Sequence, residues 1–139
     1  NAYHKIKNYN QAIFYLNQFI KLSPNEPEGY FEISLAYRKK RQYNQAISNL
    51  NRVIQLNPNH VEAHHGLGAV YWDKNDKHRA IASFNRGIQI NPNFADPYYG
   101  LGVVYKYTGE KAKSIMYLRK ALSLCKDKDL RKIILKEMR

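Results

Sequence analysis

The sequence is poor in cysteine and in acidic side chains, and it has no long apolar run. Its single cysteine, Cys125, cannot form an internal disulfide, which excludes a small secreted domain held together by disulfides and leads us to expect a cytoplasmic location. No stretch approaches the roughly 18 consecutive apolar residues of a transmembrane helix. Only 11 residues are acidic against 23 basic ones, which leaves a formal net charge of +12.

The rest of the composition is that of a folded protein. Hydrophobic residues make up 44% of the 139 residues and charged residues 24%, which is too apolar for a disordered chain. The length suits one domain of ordinary size. Twelve tyrosines make the chain rich in aromatic side chains.

A period of 34 residues runs through the chain. Pro24, Pro58 and Pro92 lie 34 residues apart, and many other positions repeat with them. We call a set of positions related by this period a column. The clearest columns are Tyr30/His64/Tyr98, Ile33/Leu67/Leu101, Ser34/Gly68/Gly102, Tyr37/Tyr71/Tyr105 and Ala12/Ala46/Ala80/Ser114. A repeat of this length indicates a solenoid of stacked units, which together bury a continuous core.

Within each period the apolar residues are spaced as in two amphipathic helices. Tyr30, Ile33 and Tyr37 step by three and four along the chain, and the apolar residues of 43–54 do the same. The prolines fall between units, where they end one helix before the next begins. We predict helices over residues 28–40, 43–56, 62–74, 77–90, 96–108 and 111–124.

This pattern resembles the tetratricopeptide repeat (TPR) family, whose 34-residue units are helix-turn-helix pairs. The stretch from Tyr98 to Tyr105 matches the first half of the family signature, whereas Ser114 and Lys126 replace its Ala and Pro. The resemblance implies an all-α fold, a right-handed α-solenoid of antiparallel helix pairs, with the whole chain forming a single TPR domain. The implied units are a partial repeat at 1–26, full repeats at 27–60, 61–94 and 95–128, and a C-terminal capping helix at 129–139.

The first unit is predicted to be incomplete. Residues 1–26 match the end of a first helix, a second helix at about Tyr9–Leu22 and its turn, and the chain does not begin with Met. These features suggest a fragment of a longer array, and processing of the chain or disorder would also explain them. Because the front of this unit is missing, apolar side chains near Phe19 would be uncovered, so self-association through this end is one expected mode of assembly.

No candidate catalytic or metal site emerges from the sequence. The segment His60–His65 superficially resembles a zinc-protease motif, but in that motif Glu directly follows the first His, whereas here Glu62 is two residues on. His64 falls in the aromatic column, where packing accounts for it. Cys125 has no neighbouring His to activate it, and the glycines of the predicted helices do not form a phosphate-binding loop. We therefore predict a non-enzymatic chain without metal or cofactor.

A second stripe on the first helix of each unit points to a binding function. It lies about 100 degrees round the helix from the residues that pack on the partner helix. In TPR arrays this stripe lines the concave groove, and an exposed apolar and aromatic surface usually marks a binding site. We therefore predict a protein-interaction scaffold that holds a peptide or protein segment. The ten predicted residues, called the groove stripe below, are Phe31, Leu35, Arg38, His65, Ala69, Trp72, Tyr99, Val103, Lys106 and Tyr107.

Packing between neighbouring first helices is an alternative explanation for part of the groove stripe. Leu35, Ala69 and Val103 fit that explanation, whereas the large aromatic residues fit it poorly. An acidic column, Glu28/Glu62/Asp96, runs beside the stripe at the start of each first helix. Acids there stabilise the helix dipole. If they also face the groove, it favours an apolar peptide with some basic character.

One partner known for the family does not fit. Some TPR domains hold the C-terminal Glu-Glu-Val-Asp of cytosolic heat-shock proteins with Lys, Asn and Arg side chains in the groove. The corresponding positions here are Phe31, Leu35, Gly66, Asp96 and Gly100. The heat-shock motif is therefore not an expected partner.

The basic excess supports an alternative function. Residues 95–139 contain eleven basic and five acidic residues, mostly on the predicted second helices and the last helix. A basic convex face could bind nucleic acid, an anionic membrane or an acidic partner. Nucleic acid is not an expected partner, because the basic and aromatic side chains would lie on different faces, and an anionic membrane or an acidic partner is expected no more strongly. Binding through this face would weaken steeply with salt, unlike binding in an apolar groove.

Overall fold

The computed structural model describes the backbone of residues 2–139 and the side chains of residues 4–139. This part of the chain contains eight α-helices and no strand. The helices are α1 (Ala2–Leu22), α2 (Pro27–Lys39), α3 (Tyr43–Leu56), α4 (Val61–Asp73), α5 (Lys77–Ile90), α6 (Ala95–Tyr107), α7 (Lys111–Leu124) and α8 (Lys128–Glu137). The predicted bounds of α3, α5 and α7 are confirmed, and those of α2, α4 and α6 are one residue too late.

The helices stack in chain order as an all-α solenoid. Helices α2 and α3, α4 and α5, and α6 and α7 form three pairs, and each pair packs on the next through α3–α4 and α5–α6. The first helices α4 and α6 also contact each other directly. One column of the second helices, Leu50, Phe84 and Leu118, is almost completely buried. Repeated burial of this column makes the core continuous along the stack.

The turn inside each full unit depends on one residue with left-handed backbone. Arg41, Asn75 and Gly109 share a column and have φ angles of 62°, 65° and 86°. Glycine and asparagine adopt this conformation most cheaply. The next residue closes each turn with an amide that donates to the carbonyl oxygen five residues earlier, in the pairs Gln42–Tyr37, Asp76–Tyr71 and Glu110–Tyr105.

The first unit differs from the prediction. A helix end, a turn and a second helix at about Tyr9–Leu22 were expected, but α1 is one helix of 21 residues. The missing turn would centre on Lys7, in the column of Arg41, and Lys7 lies inside α1. Reversing the chain is stabilised by packing a first helix against the second, and the residues before Lys7 make fewer than about two helical turns. The helix therefore continues through Lys7.

The turns between units end the second helices as predicted. Asn57 and Asn91, which precede prolines, have extended backbone with φ angles of −143° and −139°. Their side-chain oxygens accept hydrogen bonds from the amides of Asn59 and Asn93. The last helix, α8, begins at Lys128 rather than at the predicted 129 and packs through the fully buried Ile134.

Across the described part of the chain, every helix is too short or too polar to cross a bilayer.

Candidate functional site

Two adjacent hollows lie among the first helices. The first hollow, of about 190 Å³, is lined mainly by α2 and α4, and the second, of about 220 Å³, mainly by α4 and α6. Arg38, His65 and Ala69 line both hollows. The repeat explains this arrangement, because each first helix carries its exposed side chains at the same positions and the helices stand side by side.

Eight of the ten groove-stripe residues line these two hollows, and two do not. The first hollow contains Phe31, Leu35, Arg38, His65 and Ala69, and the second adds Trp72, Tyr99 and Val103. Lys106 and Tyr107 lie further along, beside α8. The ammonium group of Lys106 is 3.0 Å from a carboxylate oxygen of Glu137 in α8 and 5.6 Å from the centre of the Tyr107 ring.

The eight residues differ in how deeply they are buried and in how much they pack against the core. Ala69 is buried, as packing between first helices requires, whereas Leu35 keeps 39% of its surface exposed. Trp72 packs partly against the core between α5 and α6, and Tyr99 against the core formed by α6, α7 and α8. The hollows therefore combine side chains held rigidly by the core with accessible ones such as Leu35.

The ring of Phe84 forms part of the wall of the second hollow, although it comes from the second helix α5. Two glycines of neighbouring first helices pack closely against it. A Cβ atom on Gly68 would lie 2.6 Å from Cδ1 of the ring, and one on Gly100 would lie 2.5 Å from Cε1. Phe84 belongs to the column Leu16/Leu50/Phe84/Leu118, which predicts only a place in the core. A sequence signal for its second role is the pair of glycines that face this one aromatic member of a Leu column.

Charges at the C-terminal ends of the first helices are paired. Nε of Arg38 in α2 lies 2.7 Å from Oδ2 of Asp73, the last residue of α4. The Lys106–Glu137 pair joins α6 to α8 in the same way. These ion pairs join first helices to the helices of the following units and pair the charges of Arg38 and Lys106.

Acids at the N-terminal ends of the first helices lack such partners. Among the described residues, no Lys or Arg lies within ion-pair distance of Glu28, Glu62 or Asp96. His60 approaches Glu28 and Glu62 at 3.8 and 3.6 Å, but its Nδ1 atom accepts a hydrogen bond from the amide of Ala63. Burial raises the pKa of Asp96, and nearby carboxylates raise it further. Glu62 and Asp96 both line the first hollow.

His65 separates the two hollows as a neutral polar group. Burial, assisted by the positive charge of Arg38, lowers its pKa to about 4. Its Nδ1 atom is buried and has no hydrogen-bond partner among the described residues. The ring packs against the rings of Phe84 and Phe94, with centroids 5.5 and 6.1 Å away. The other members of its column are Phe31 and Tyr99, so a polar ring stands where the neighbouring units place an aromatic one.

Comparison with known proteins agrees with this architecture. A family model described as TPR repeat matches residues 35–75 and 73–109, and one described as tetratricopeptide repeat matches residues 1–26 and 95–128. No curated protein sequence matches the chain.

Solved structures with similar folds include two of MamA. One is 27% identical, covers 95% of this chain and 85% of that chain, and has a TM-score of 0.75. The other is 28% identical, covers 94% and 79%, and has a TM-score of 0.72. TTC0263, a thermophilic TPR protein of Thermus thermophilus, is 24% identical, covers 96% and 75%, and has a TM-score of 0.83, which supports the fold alone.

The repeat matches span the chain from the first unit to the third full one and cover more than half of its residues. One of them, residues 95–128, coincides with the helix pair α6 and α7. This chain therefore belongs to the tetratricopeptide repeat family.

Proposed function

We propose that this chain is a non-enzymatic scaffold that holds a peptide or protein segment against the groove stripe. Membership of the TPR family supports a role in protein–protein interaction. The observation that carries the proposal is the pair of adjacent hollows on the first helices. Each is smaller than the roughly 300–1,000 Å³ pockets typical of small-molecule sites, and its size suits one amino-acid side chain.

The walls of the hollows contain the residue types that dominate binding energy at interfaces. Aromatic residues and arginine are the commonest hot spots, and Trp72 and Arg38 occupy such positions in the second hollow. Leu35 adds an exposed apolar surface that a ligand would cover. We propose that apolar side chains of the bound segment enter the two hollows and that the scaffold acts in the cytoplasm without metal or cofactor.

The basic second helices offer a weaker argument for the alternative function. Several of their cations lie over tyrosine rings of the first helices, at 5.1 to 6.0 Å from the ring centre, in the pairs Arg52–Tyr30, Arg79–Tyr71, Lys113–Tyr105 and Lys120–Tyr98. Such contacts give these side chains a role within the fold. The groove therefore remains the better-supported site.

The experiment compares capture of proteins from native lysate by the parent chain and by two variants. Leu35→Gln/Trp72→Ala alters both hollows, and Met116→Gln is the matched control, because Met116 is a 56% exposed residue of the second helix α7. Circular dichroism establishes that all three are folded. We expect the parent and Met116→Gln to retain the same proteins at moderate salt, and Leu35→Gln/Trp72→Ala to lose them.

Retention of the same proteins by all three chains, with release by salt, would contradict the proposal. The binding site would then be the basic convex face. Fragments of a captured protein, titrated against the same variants by fluorescence anisotropy, would locate the bound segment.

A further inference from the structure

We propose that the segment held in the groove carries a Lys or Arg beside its apolar side chains, and that this cation binds between Glu62 and Asp96 at the edge of the first hollow. The inference rests on the proposed function and goes further by naming the chemistry of the ligand. A basic ligand is not what the net charge of +12 alone would predict, because that charge attracts acidic partners.

The distribution of ion pairs supports this choice. Four acids elsewhere in the stack are paired with Arg or Lys, in the pairs Asp73–Arg38, Asp76–Arg79, Glu110–Lys113 and Glu137–Lys106. The other acids without such a pair among the described residues lie outside both hollows; they are Glu26, Glu28, Glu32, Asp127 and Asp129. Glu62 and Asp96 have no Lys or Arg partner among the described residues, yet both line a hollow. In a chain with twice as many basic as acidic residues, carboxylates left unpaired at a binding surface are suited to a cation brought by the ligand.

Of the two carboxylates, Asp96 gives the stronger argument for a bound cation. Its side chain is half-buried, and its carboxylate lies close enough to Glu62 and Asp127 to be repelled by both. Arg38, the cation in the wall of the first hollow, is bound to Asp73 at the opposite end of the first helices. A ligand cation between Glu62 and Asp96 would relieve this repulsion, for which the described part of the chain supplies no Lys or Arg partner.

His65 provides independent evidence that this surface receives a polar ligand. Its buried Nδ1 atom lacks a partner in the described chain, although the ring stands in the wall shared by both hollows. Buried polar groups without partners are rare and costly in folded proteins. A site used for packing alone would be served by an aromatic ring, as at Phe31 and Tyr99. Because the imidazole is neutral, it adds hydrogen-bonding capacity without repelling a cation.

The apolar part of the ligand is set by the remaining walls. Phe31, Leu35 and Ala69 line the first hollow close to the two acids, and Trp72 and Val103 continue the surface into the second. The recognised sequence is therefore a basic residue followed or preceded by apolar ones.

The test is a selection from displayed libraries of short random peptides at physiological ionic strength. The baits are the full chain, Leu35→Gln/Trp72→Ala, Glu62→Gln/Asp96→Asn, and Glu110→Gln/Asp129→Asn. The last variant removes two acidic side chains, both exposed and both outside the two hollows. We expect the parent and the control to enrich peptides with Lys or Arg beside apolar residues, and Glu62→Gln/Asp96→Asn to lose the preference for the basic residue.

A selected peptide then gives a quantitative check by fluorescence anisotropy. Replacing its Lys by Gln should weaken binding to the parent about fivefold, as expected for a charge pair worth about 1 kcal/mol, and should change little on Glu62→Gln/Asp96→Asn. Acidic selected peptides, or an equal loss on both chains, would overturn the cation site while leaving groove binding intact. Failure of the parent to enrich any peptide over Leu35→Gln/Trp72→Ala would overturn the proposed function and this inference together.

Discussion

The Nε2 atom of His64 lies 3.0 Å from the carbonyl oxygen of Pro58. The hydroxyl group of Tyr98 makes the same contact, since it donates to the carbonyl oxygen of Pro92 at 2.8 Å. Both residues belong to one column, and each reaches back six residues to the turn between units. A carbonyl oxygen can only accept, so the Nε2 atom of His64 carries a proton. The histidine therefore replaces tyrosine as a donor as well as a packed ring.

Substitutions at His64 should reveal that hydrogen bond. We expect His64→Tyr to match or exceed the parent in thermal stability, because Tyr30 and Tyr98 already make this bond in their own units. His64→Phe keeps a ring but leaves the carbonyl of Pro58 without its donor, which should cost about 1 kcal/mol. Equal melting temperatures for the Phe and Tyr variants would show that packing alone sets the choice of residue.

The two glycines that enclose Phe84 should resist substitution. Alanine is a better helix former than glycine by about 1 kcal/mol, but at Gly68 or Gly100 its methyl group would collide with the ring. We expect Gly68→Ala and Gly100→Ala each to lower the free energy of unfolding by about 1–3 kcal/mol, measured by urea denaturation. Phe84→Leu should reduce the added cost of either alanine.

Gly109 is the matched control for that experiment. Its φ angle of 86° is unfavourable for alanine, but nothing lies within 4 Å of where a Cβ would be. Gly109→Ala should therefore be destabilising through backbone strain, and Phe84→Leu should not change its effect. Rescue of Gly109→Ala by Phe84→Leu would contradict the explanation by collision.

Stability should fall below neutral pH because of His65. The pKa of His65 is lowered from 6.5 to about 4 in the folded chain. Between these values the unfolded chain binds a proton that the folded chain does not, so the free energy of unfolding decreases as the pH is lowered from about 6.5 to about 4, by at most about 3 kcal/mol. Urea denaturation at several pH values measures this slope.

His65→Phe should flatten that dependence, because phenylalanine has no proton to bind. It should also raise stability at pH 5 more than at pH 7. His78, which is exposed on α5, provides the control, since His78→Gln is expected to keep the slope of the parent. A His65→Phe chain with an unchanged slope would show that other groups cause the loss of stability.

Asp96→Asn should stabilise the free chain while weakening ligand binding. Burial and neighbouring carboxylates raise the pKa of Asp96, so the stability that this group contributes is lost as the pH rises through its folded pKa. At pH 7 the asparagine variant should be more stable by less than about 1 kcal/mol, because the helix dipole offsets part of the repulsion. The gain should shrink at pH 3, where the carboxyl group is protonated. A loss of stability at pH 7 would mean that the dipole dominates.

The exposed side of α1 should cause association between copies. Tyr15 is 71% exposed and Phe19 44% exposed, whereas Val53 and Ala121, in the column of Phe19, are fully buried by their own units. We expect sedimentation velocity to show larger species as concentration rises, and Tyr15→Lys to suppress them. Met116→Lys places the same charge on an exposed apolar site of α7 and should not. Identical behaviour of the parent and Tyr15→Lys would exclude this surface.

The period of 34 residues was enough to predict the fold and, to within one residue, both ends of the six helices from α2 to α7, because one local pattern is repeated and each unit packs only on its neighbours. It failed at Lys7, where a turn needs a helix to fold back against. It could not place Phe84 in the second hollow, because that depends on how closely α4 and α6 approach. Nor could it predict the ion pair between Lys106 and Glu137, since α8 lies outside the full repeats.

The close packing around Phe84 also determines where the stack can bend. Because its planar ring is enclosed by Gly68 and Gly100, the second and third full units have no room to move relative to each other. Leu50 holds the same column one unit earlier, where a Cβ on Gly66 would lie 3.3 Å from its flexible Cδ2 atom. Changes of curvature should therefore concentrate at the joint between α2 and α4. We expect the second hollow to keep its shape and the first to change its width when a ligand binds. One half of the groove would then be rigid and the other adaptable.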